Sequence, residues 1–212
     1  MYKLVSFILL CISFNASANL ILNGDFEDKQ IKRKWQYLNA DKVNGWQGER
    51  IEVWHGLFGL KPYSGKQHIE LNSHKKDNEY AIYQTFNSQA GQSYDLSFAY
   101  AARTRKNEQF LVEVFSGQNL VMSQLINDHA YREWSVFTDN FVATDSQTTL
   151  KFTGITPKGS VGNLLDDIQV NALNITAPQG LANAVDAPAT IGLLLLAGGL
   201  LVMRHKRAAS TK

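Results

Sequence analysis

Flat aromatic faces beside hydrogen-bonding side chains are the chemistry this sequence offers most freely. Trp35, Trp54, Tyr63, Tyr100, Tyr131 and Trp134 supply the faces, and His55, Gln84, Arg103 and Arg105 the polar neighbours. A planar ring lies against the apolar face of an amphipathic ligand such as a pyranose at small entropic cost, while polar groups around it hold the hydroxyls. Trp54-His55-Gly56, followed by Leu57-Phe58-Gly59, puts an aromatic residue at the mouth of a glycine-punctuated loop. Some of these residues also suit a core. Trp46 and Trp134 stand where strands begin and read as core, whereas Trp54 and Tyr100 fit either role. Arg103-Thr104-Arg105-Lys106 reads either as a solvated turn or as a site for an anionic polysaccharide.

Nucleophilic and metal-assisted chemistry find little support. The sequence has no Gly-x-Ser-x-Gly elbow and no phosphate loop ending in Gly-Lys-Ser/Thr. The five histidines, His55, His68, His74, His129 and His205, lack metalloprotease spacing. A glycosidase needs two carboxylates roughly 5–9.5 Å apart. Glu52, Glu70 and Glu113 could supply such a pair, but spacing in the sequence does not bring any two together. Catalysis is therefore not expected.

Those side chains must be carried by strands. Tyr94, Leu96, Phe98 and Tyr100 alternate with Ser93, Asp95, Ser97 and Ala99, the period of a half-buried strand. Phe110, Val112 and Val114 alternate with Leu111, Glu113 and Phe115, a strand with apolar residues on both faces. Further runs start at Ile82, Trp134 and Leu150, and Ala90-Gly91-Gln92, Ser116-Gly117-Gln118-Asn119 and Thr156-Pro157-Lys158-Gly159 mark turns between runs. Strands that do not alternate with long helices exclude parallel βαβ folds. The expected body, residues 19–173, is an all-β antiparallel sandwich of jelly-roll type, its two sheets about 10 Å apart.

The 212 residues, 44% hydrophobic and 11% aromatic, suffice for one such domain with appendages. Lys3, the apolar run Leu4 to Phe14 and Ala16-Ser17-Ala18 read as a secretory signal over residues 1–18, leaving a mature start at Asn19. Cys11, the single cysteine, falls inside it, so the exported chain would hold no disulfide, thiolate site or cysteine nucleophile. Residues 174–185 read as a linker, and Ile191 to Met203 as an apolar helix followed by Arg204-His205-Lys206-Arg207. The basic cluster would stay cytoplasmic, leaving the body outside and residues 208–212 as a cytoplasmic tail. Without these two ends the body carries 16 basic and 18 acidic residues, a balance that argues against general nucleic-acid binding.

Residues 186–207 resemble a PEP-CTERM sorting signal, with Asp186-Ala187-Pro188 in the place of Pro-Glu-Pro, then the apolar helix and the Arg-rich end. The resemblance implies a sorting protease of exosortase type as partner, contact with the inner membrane before processing, and a final place at the cell surface or outside the cell. The body resembles family 4 and 9 carbohydrate-binding modules and related galactose-binding-like domains over residues 19–171. The matching segments are Asn23-Gly24-Asp25-Phe26-Glu27, Gly45-Trp46, Ser64 to Leu71, Ile82 to Phe86, Ala90 to Tyr94 and Leu165-Asp166-Asp167-Ile168.

That resemblance implies a galactose-binding-like jelly roll that binds polysaccharide without catalysis, with Trp54, His55, Tyr63, Gln84, Tyr100 and Arg103 as ligand-binding candidates. The alternatives are a structural or protein-interaction component of matrix or envelope, and a small glycan-active hydrolase. In such domains the first and last strands meet beside a structural calcium ion. Glu27, Asp166 and Asp167 are the candidate side-chain ligands, and Lys66 would add its carbonyl. Calcium takes 6–8 oxygens, so water would complete the shell. Period two places Asp166 with Ile168 and Val170 on the core side, and Asp167 opposite. The same carboxylates also suit turn caps or pairs with Lys or Arg.

Overall fold

The computed structural model describes residues 18–71, 80–106, 108–156 and 161–173. The chain divides after Asn174 into two compact units, and every described residue lies in the first. The expected signal peptide (but for Ala18), the linker, the sorting motif Asp186, Ala187 and Pro188, the apolar segment and the tail lie outside the described residues, as does His74.

Alternation of burial explains most strands. In β5 (Tyr80–Asn87), β6 (Ser93–Ala101), β7 (Gln109–Ser116) and β10 (Gln147–Thr156), every second residue turns to a common interior. Tyr94, Leu96, Phe98 and Tyr100 are buried as their spacing predicts. Phe110, Val112 and Val114 are sealed inside, while Leu111, Glu113 and Phe115 form a half-buried outer row. The remaining strands are β1 (Trp35–Leu38), β2 (Gln47–Gly48), β3 (Ile51–Trp54), β4 (His68–Glu70), β8 (Asn119–Ile126), β9 (Ser135–Val142) and β11 (Leu164–Ala172).

Pairing is antiparallel throughout these strands and gives two sheets in a jelly-roll sandwich. One has six strands in the order β1-β3-β4-β11-β6-β9, the other five in the order β2-β5-β10-β7-β8. Phe98 of the first sheet meets Phe152 of the second edge to face at 5.2 Å and stacks on Phe137 at 4.8 Å. Trp46 lies between Phe26 and Phe152, a core residue as its place in the sequence suggests.

The segment after Asn19 runs beside β11. Leu20 N–H donates to Val170 O at 2.8 Å, and Ile168 N–H to Gly24 O at 3.0 Å. Gly24 is required there: a Cβ would stand 2.0 Å from Ile168 O. Asn23, at φ 50°, accepts from the Trp46 indole through its carbonyl and from Asp28 N–H through its side chain.

β11 departs from strict alternation. The register against β6 shifts between Asp166 and Gln169, and Asp167 adopts φ 48°, so one extra residue bulges from the strand. The expectation that Asp166 shares the core face with Ile168 and Val170 is corrected by this bulge. Leu165, Ile168 and Val170 belong to the main core. Asp166 pairs with Ala99 and lies on the sheet's other face, fully buried beneath a loop.

Candidate functional site

The outer face of the six-stranded sheet is lined, strand by strand, by the residues that do not face the core. Register sets Trp35 opposite Trp54 and Tyr37 opposite Glu52 between β1 and β3. Between β3 and β4 it sets Glu52 opposite Glu70 and Trp54 opposite His68. The loop of residues 55–67 folds back over this face, where Trp54, Leu57, Ala101 and Leu164 form a second apolar cluster with Leu60 and Trp134 against it. Trp134, expected in the core, is half-buried against this smaller cluster, its indole donating to Lys61 O at 2.8 Å.

Two carboxylates meet inside this layer. Directly opposed strand residues have Cβ atoms about 4.5–5.5 Å apart, and Glu52 and Glu70 are only 3% and 0% exposed. Arg103 Nη1 donates to both Glu70 oxygens at 2.9 Å, and Gly162 N–H to Oε1 at 2.7 Å. Burial nevertheless pushes the Glu70 carboxyl up to about 8, against the pull of Arg103. Burial also raises Glu52, again opposed by Arg103. Glu113 is on the other sheet, 3.7 Å from Lys151 Nζ. The pair Glu52–Glu70 thus has the proximity of an acid pair but is closed to solvent.

Above it the rings are open. Trp35 stacks on Trp54 at 5.7 Å, and Trp54 meets Phe58 at 6.3 Å. Arg103 lies over both Trp54 (5.6 Å) and Phe58 (5.4 Å). Arg132 bridges Phe58 (5.1 Å) and Tyr131 (5.0 Å), and Arg105 covers Tyr131 at 4.6 Å. Trp35, Phe58 and Tyr131 are 42%, 52% and 38% exposed. An isolated parallel bridge between Ala102 and Tyr131 holds the far end, with Arg132 N–H donating to Ala102 O at 2.9 Å. The result is a surface strip in which aromatic planes alternate with guanidinium groups, each such contact worth about 0.5–1 kcal/mol where exposed.

The structure gathers some of the expected ligand-binding residues and separates others. Trp54 and Arg103 join the strip, Trp54 as its buried member, with Trp35, Tyr131 and Arg105 beside them. His55 begins the covering loop; its Nε2 is 2.7 Å from Ile31 O and its Nδ1 3.3 Å from Lys66 O. Tyr63 lies farther along that loop, exposed, edge-on to Trp134 at 6.2 Å. Gln84 and Tyr100 face the interior. The Gln84 amide accepts from Leu22 N–H and donates to Leu22 O, and the Tyr100 hydroxyl donates to Asp128. Burial and the Asp128 bond push that phenol up to about 12. His68 is sealed with neither ring nitrogen bonded, and burial takes it down to about 3.

The calcium candidates come to the same loop by another chemistry. Glu27 Oε1 accepts from Lys66 and Gln67 N–H, both at 2.6 Å, and its Oε2 from the Gln30 amide. Asp166 accepts from the N–H groups of Tyr63, Ser64 and Asp167 and from the Ser64 hydroxyl. Asp167 accepts from Gln169. Of the four lone-pair sites of each carboxylate, these bonds use all of Asp166's and three of Glu27's. Among the described residues no group of three or more His, Cys, Asp or Glu could hold a metal ion. Burial raises Asp166 to about 7 despite the four donors.

Sequence reasoning missed Phe58, Tyr37 and Arg132 as members of this face. The signal for Arg132 was present in Tyr131-Arg132 beside Arg103-Thr104-Arg105, but a contact between segments so far apart in the chain requires the Ala102–Tyr131 bridge. Phe58 sat in the loop already singled out, and its φ of 48° turns it outward from the turn closed by Leu57 and Leu60.

Several solved structures are similar to this chain. The arabinose-bound MgGH51 α-L-arabinofuranosidase matches at 10% identity and TM-score 0.53, over 74% of this chain and 26% of that enzyme. TmCBM61 in complex with β-1,4-galactotriose matches at 15% identity and TM-score 0.49, over 74% of this chain and 100% of that one. A CBM4 structure matches at 16% identity and TM-score 0.47, over 72% and 99%. At such identities the likeness is one of fold. Among curated proteins none matches. A family model does match, over residues 19–171, which spans the whole sandwich from the Asn19 segment to β11. The chain belongs to the family described as protein of unknown function DUF642.

Proposed function

We propose that the sandwich binds polysaccharide, without catalysis, through the aromatic strip on the outer face of its six-stranded sheet. The observation that carries this reading is the run of Trp35, Trp54, Phe58 and Tyr131 in successive ring or guanidinium contact, with three of the four open to solvent. Such a run offers several platforms along one line, as a linear chain of amphipathic sugars needs. The closure of Glu52 and Glu70 supports a binding role over a hydrolytic one, since no glycosidic bond reaches them in this arrangement. In the same reading the protein is exported and belongs to the cell surface or extracellular matrix. Residues 186–207 serve there as the substrate of an exosortase-type sorting protease and, before processing, as a hold on the inner membrane.

Pull-down of residues 19–173 on a panel of neutral and acidic polysaccharides tests this. Binding that Trp35→Ala weakens severalfold is expected; a folded sandwich that binds none of the panel overturns it. The second reading, a matrix component that contacts proteins, is favoured by the exposed Leu120 and Leu125 of β8. Retention of surface assembly by the Trp35→Ala variant, with loss on Leu120→Ser and Leu125→Ser, would select that reading instead.

A further inference from the structure

Although the body is nearly balanced in charge, its cations are not evenly spread. Lys32, Arg33 and Lys34 lead directly into Trp35 and, with Gln36 and Tyr37, line one cleft. All three are exposed, and the Lys34 carbonyl accepts from His55 N–H, which fixes this segment beside the β3 end. At the other end of the strip Arg105, Lys106 and Arg132 are exposed as well. Arg103 commits Nη1 to Glu70. Elsewhere among the described residues Lys42 pairs with Asp41 and Lys151 with Glu113, while no carboxylate there pairs with Arg105 or Arg132.

Their geometry matters more than their number. A guanidinium resting on a ring uses its face for the ring and keeps N–H donors in its plane. Arg105 rests on Tyr131, and Arg132 on both Tyr131 and Phe58, with one Nη1 bond to Phe58 O at 3.1 Å. The donors left over form a planar fork of the kind that meets a carboxylate or sulfate with two parallel bonds. The rings hold these forks in place before any ligand arrives, which reduces the ordering cost of binding.

We propose that the strip selects acidic polysaccharides, chains whose sugars carry carboxylate or sulfate groups. The proposal rests on the polysaccharide-binding reading above and names its ligand class. Trp35 and Phe58 take the apolar sugar faces, Arg105 and Arg132 take the acid groups, and Lys32, Arg33 and Lys34 draw the same chain by charge. A neutral polysaccharide would leave the arginine forks to water. A duplex nucleic acid would satisfy the cations but leave the open rings without sugar faces to cover.

Affinity electrophoresis of residues 19–173, a segment that holds both described apolar clusters, distinguishes these cases. The gels contain alginate, hyaluronan, xanthan or dextran sulfate, each run beside its neutral counterpart: the methyl esters of the first three, and dextran. At least one acidic polymer is expected to retard the protein, with affinity at least about tenfold weaker for its neutral form and a marked loss on added salt. The double variant Arg105→Gln, Arg132→Gln, compared at matched folded fraction and with the wild-type circular-dichroism spectrum, should lose about tenfold on the acidic polymer. Neutral forms that bind as tightly, or an unaffected double variant, would overturn acid selection and leave the broader polysaccharide reading standing. Equal retardation by duplex DNA would also overturn it. Retardation by none of the polymers would overturn acid selection, and would sink the broader reading as well if the neutral polysaccharides of the pull-down panel also fail to bind.

Discussion

Asp166 shows how much a single side chain holds in this protein. It gathers three backbone N–H groups and a hydroxyl from Tyr63, Ser64 and Asp167, and so fixes the loop that covers the outer sheet face. Glu27 does the same for Lys66 and Gln67, and Gly65 at φ 53° is what lets the loop come so close, since a Cβ there would meet Glu27 Oε1 at 2.5 Å. Asp166→Ala would strand buried donors and is expected to cost about 2–4 kcal/mol, read as a lower urea midpoint. An unchanged midpoint would mean that the loop is held elsewhere. Trp35→Ala removes a ring that is 42% exposed and should cost less, about 1–2 kcal/mol. The carboxylates were legible in the sequence as residues needing a partner, turn-capping N–H groups among the alternatives; which N–H groups they take was not, because backbone donors leave no trace in residue types.

Strand period two made the inward rows of β6 and β7 readable, and the Asn23-Gly24-Asp25-Phe26-Glu27 segment marked the edge where the chain start meets β11. Its residues pack or turn the chain in distinct ways. Asn23 and Gly24 make the tight approach to Trp46 and Ile168, Phe26 stacks on Trp46, and Glu27 clamps the loop. Gly24→Ala is expected to destabilise the sandwich by at least about 2 kcal/mol, because the obstruction is backbone oxygen that cannot rotate away. A variant with wild-type thermal stability would show that the segment can slide along β11. The bulge between Asp166 and Gln169 was not legible, since an inserted residue changes the register without changing the composition of the strand. Gln84 and Tyr100 escaped for a related reason. A polar tip does not forbid an inward position when Leu22 or Asp128 waits to bond it.

For the molecule as a whole, buried and half-buried titratable groups set the response to pH. Glu70, raised to about 8, and Asp166, raised to about 7, keep protons that the unfolded chain releases above about pH 4, so they remove stability as pH rises towards those values. His68, lowered to about 3, and His129, lowered to about 4, stay neutral where the unfolded chain takes up protons, so they remove stability as pH falls below about 6.5. The two pairs oppose each other between about pH 4.5 and 6.5, and above that window the carboxylates act alone. The melting temperature is therefore expected to fall between about pH 6.5 and 8.5, with Glu70→Gln reducing the slope; a rise over that range would show that Arg103 and the N–H donors, rather than burial, set these carboxyls. The strip itself was half visible in advance. Trp35, Trp54, Tyr131, Arg103 and Arg105 stood out by type, yet their alignment depends on the β1–β3 register and the Ala102–Tyr131 bridge. Averaging charge over the body hid the concentration of cations along it. In the proposed reading, this exposed row of rings is where a polysaccharide lies. The most direct measurement is the affinity of residues 19–173 for a polysaccharide the wild type binds, compared with the Trp35→Ala, Phe58→Ala double variant at matched folded fraction. A loss of at least about tenfold with an unchanged circular-dichroism spectrum is predicted; equal affinity of the two proteins would contradict the account.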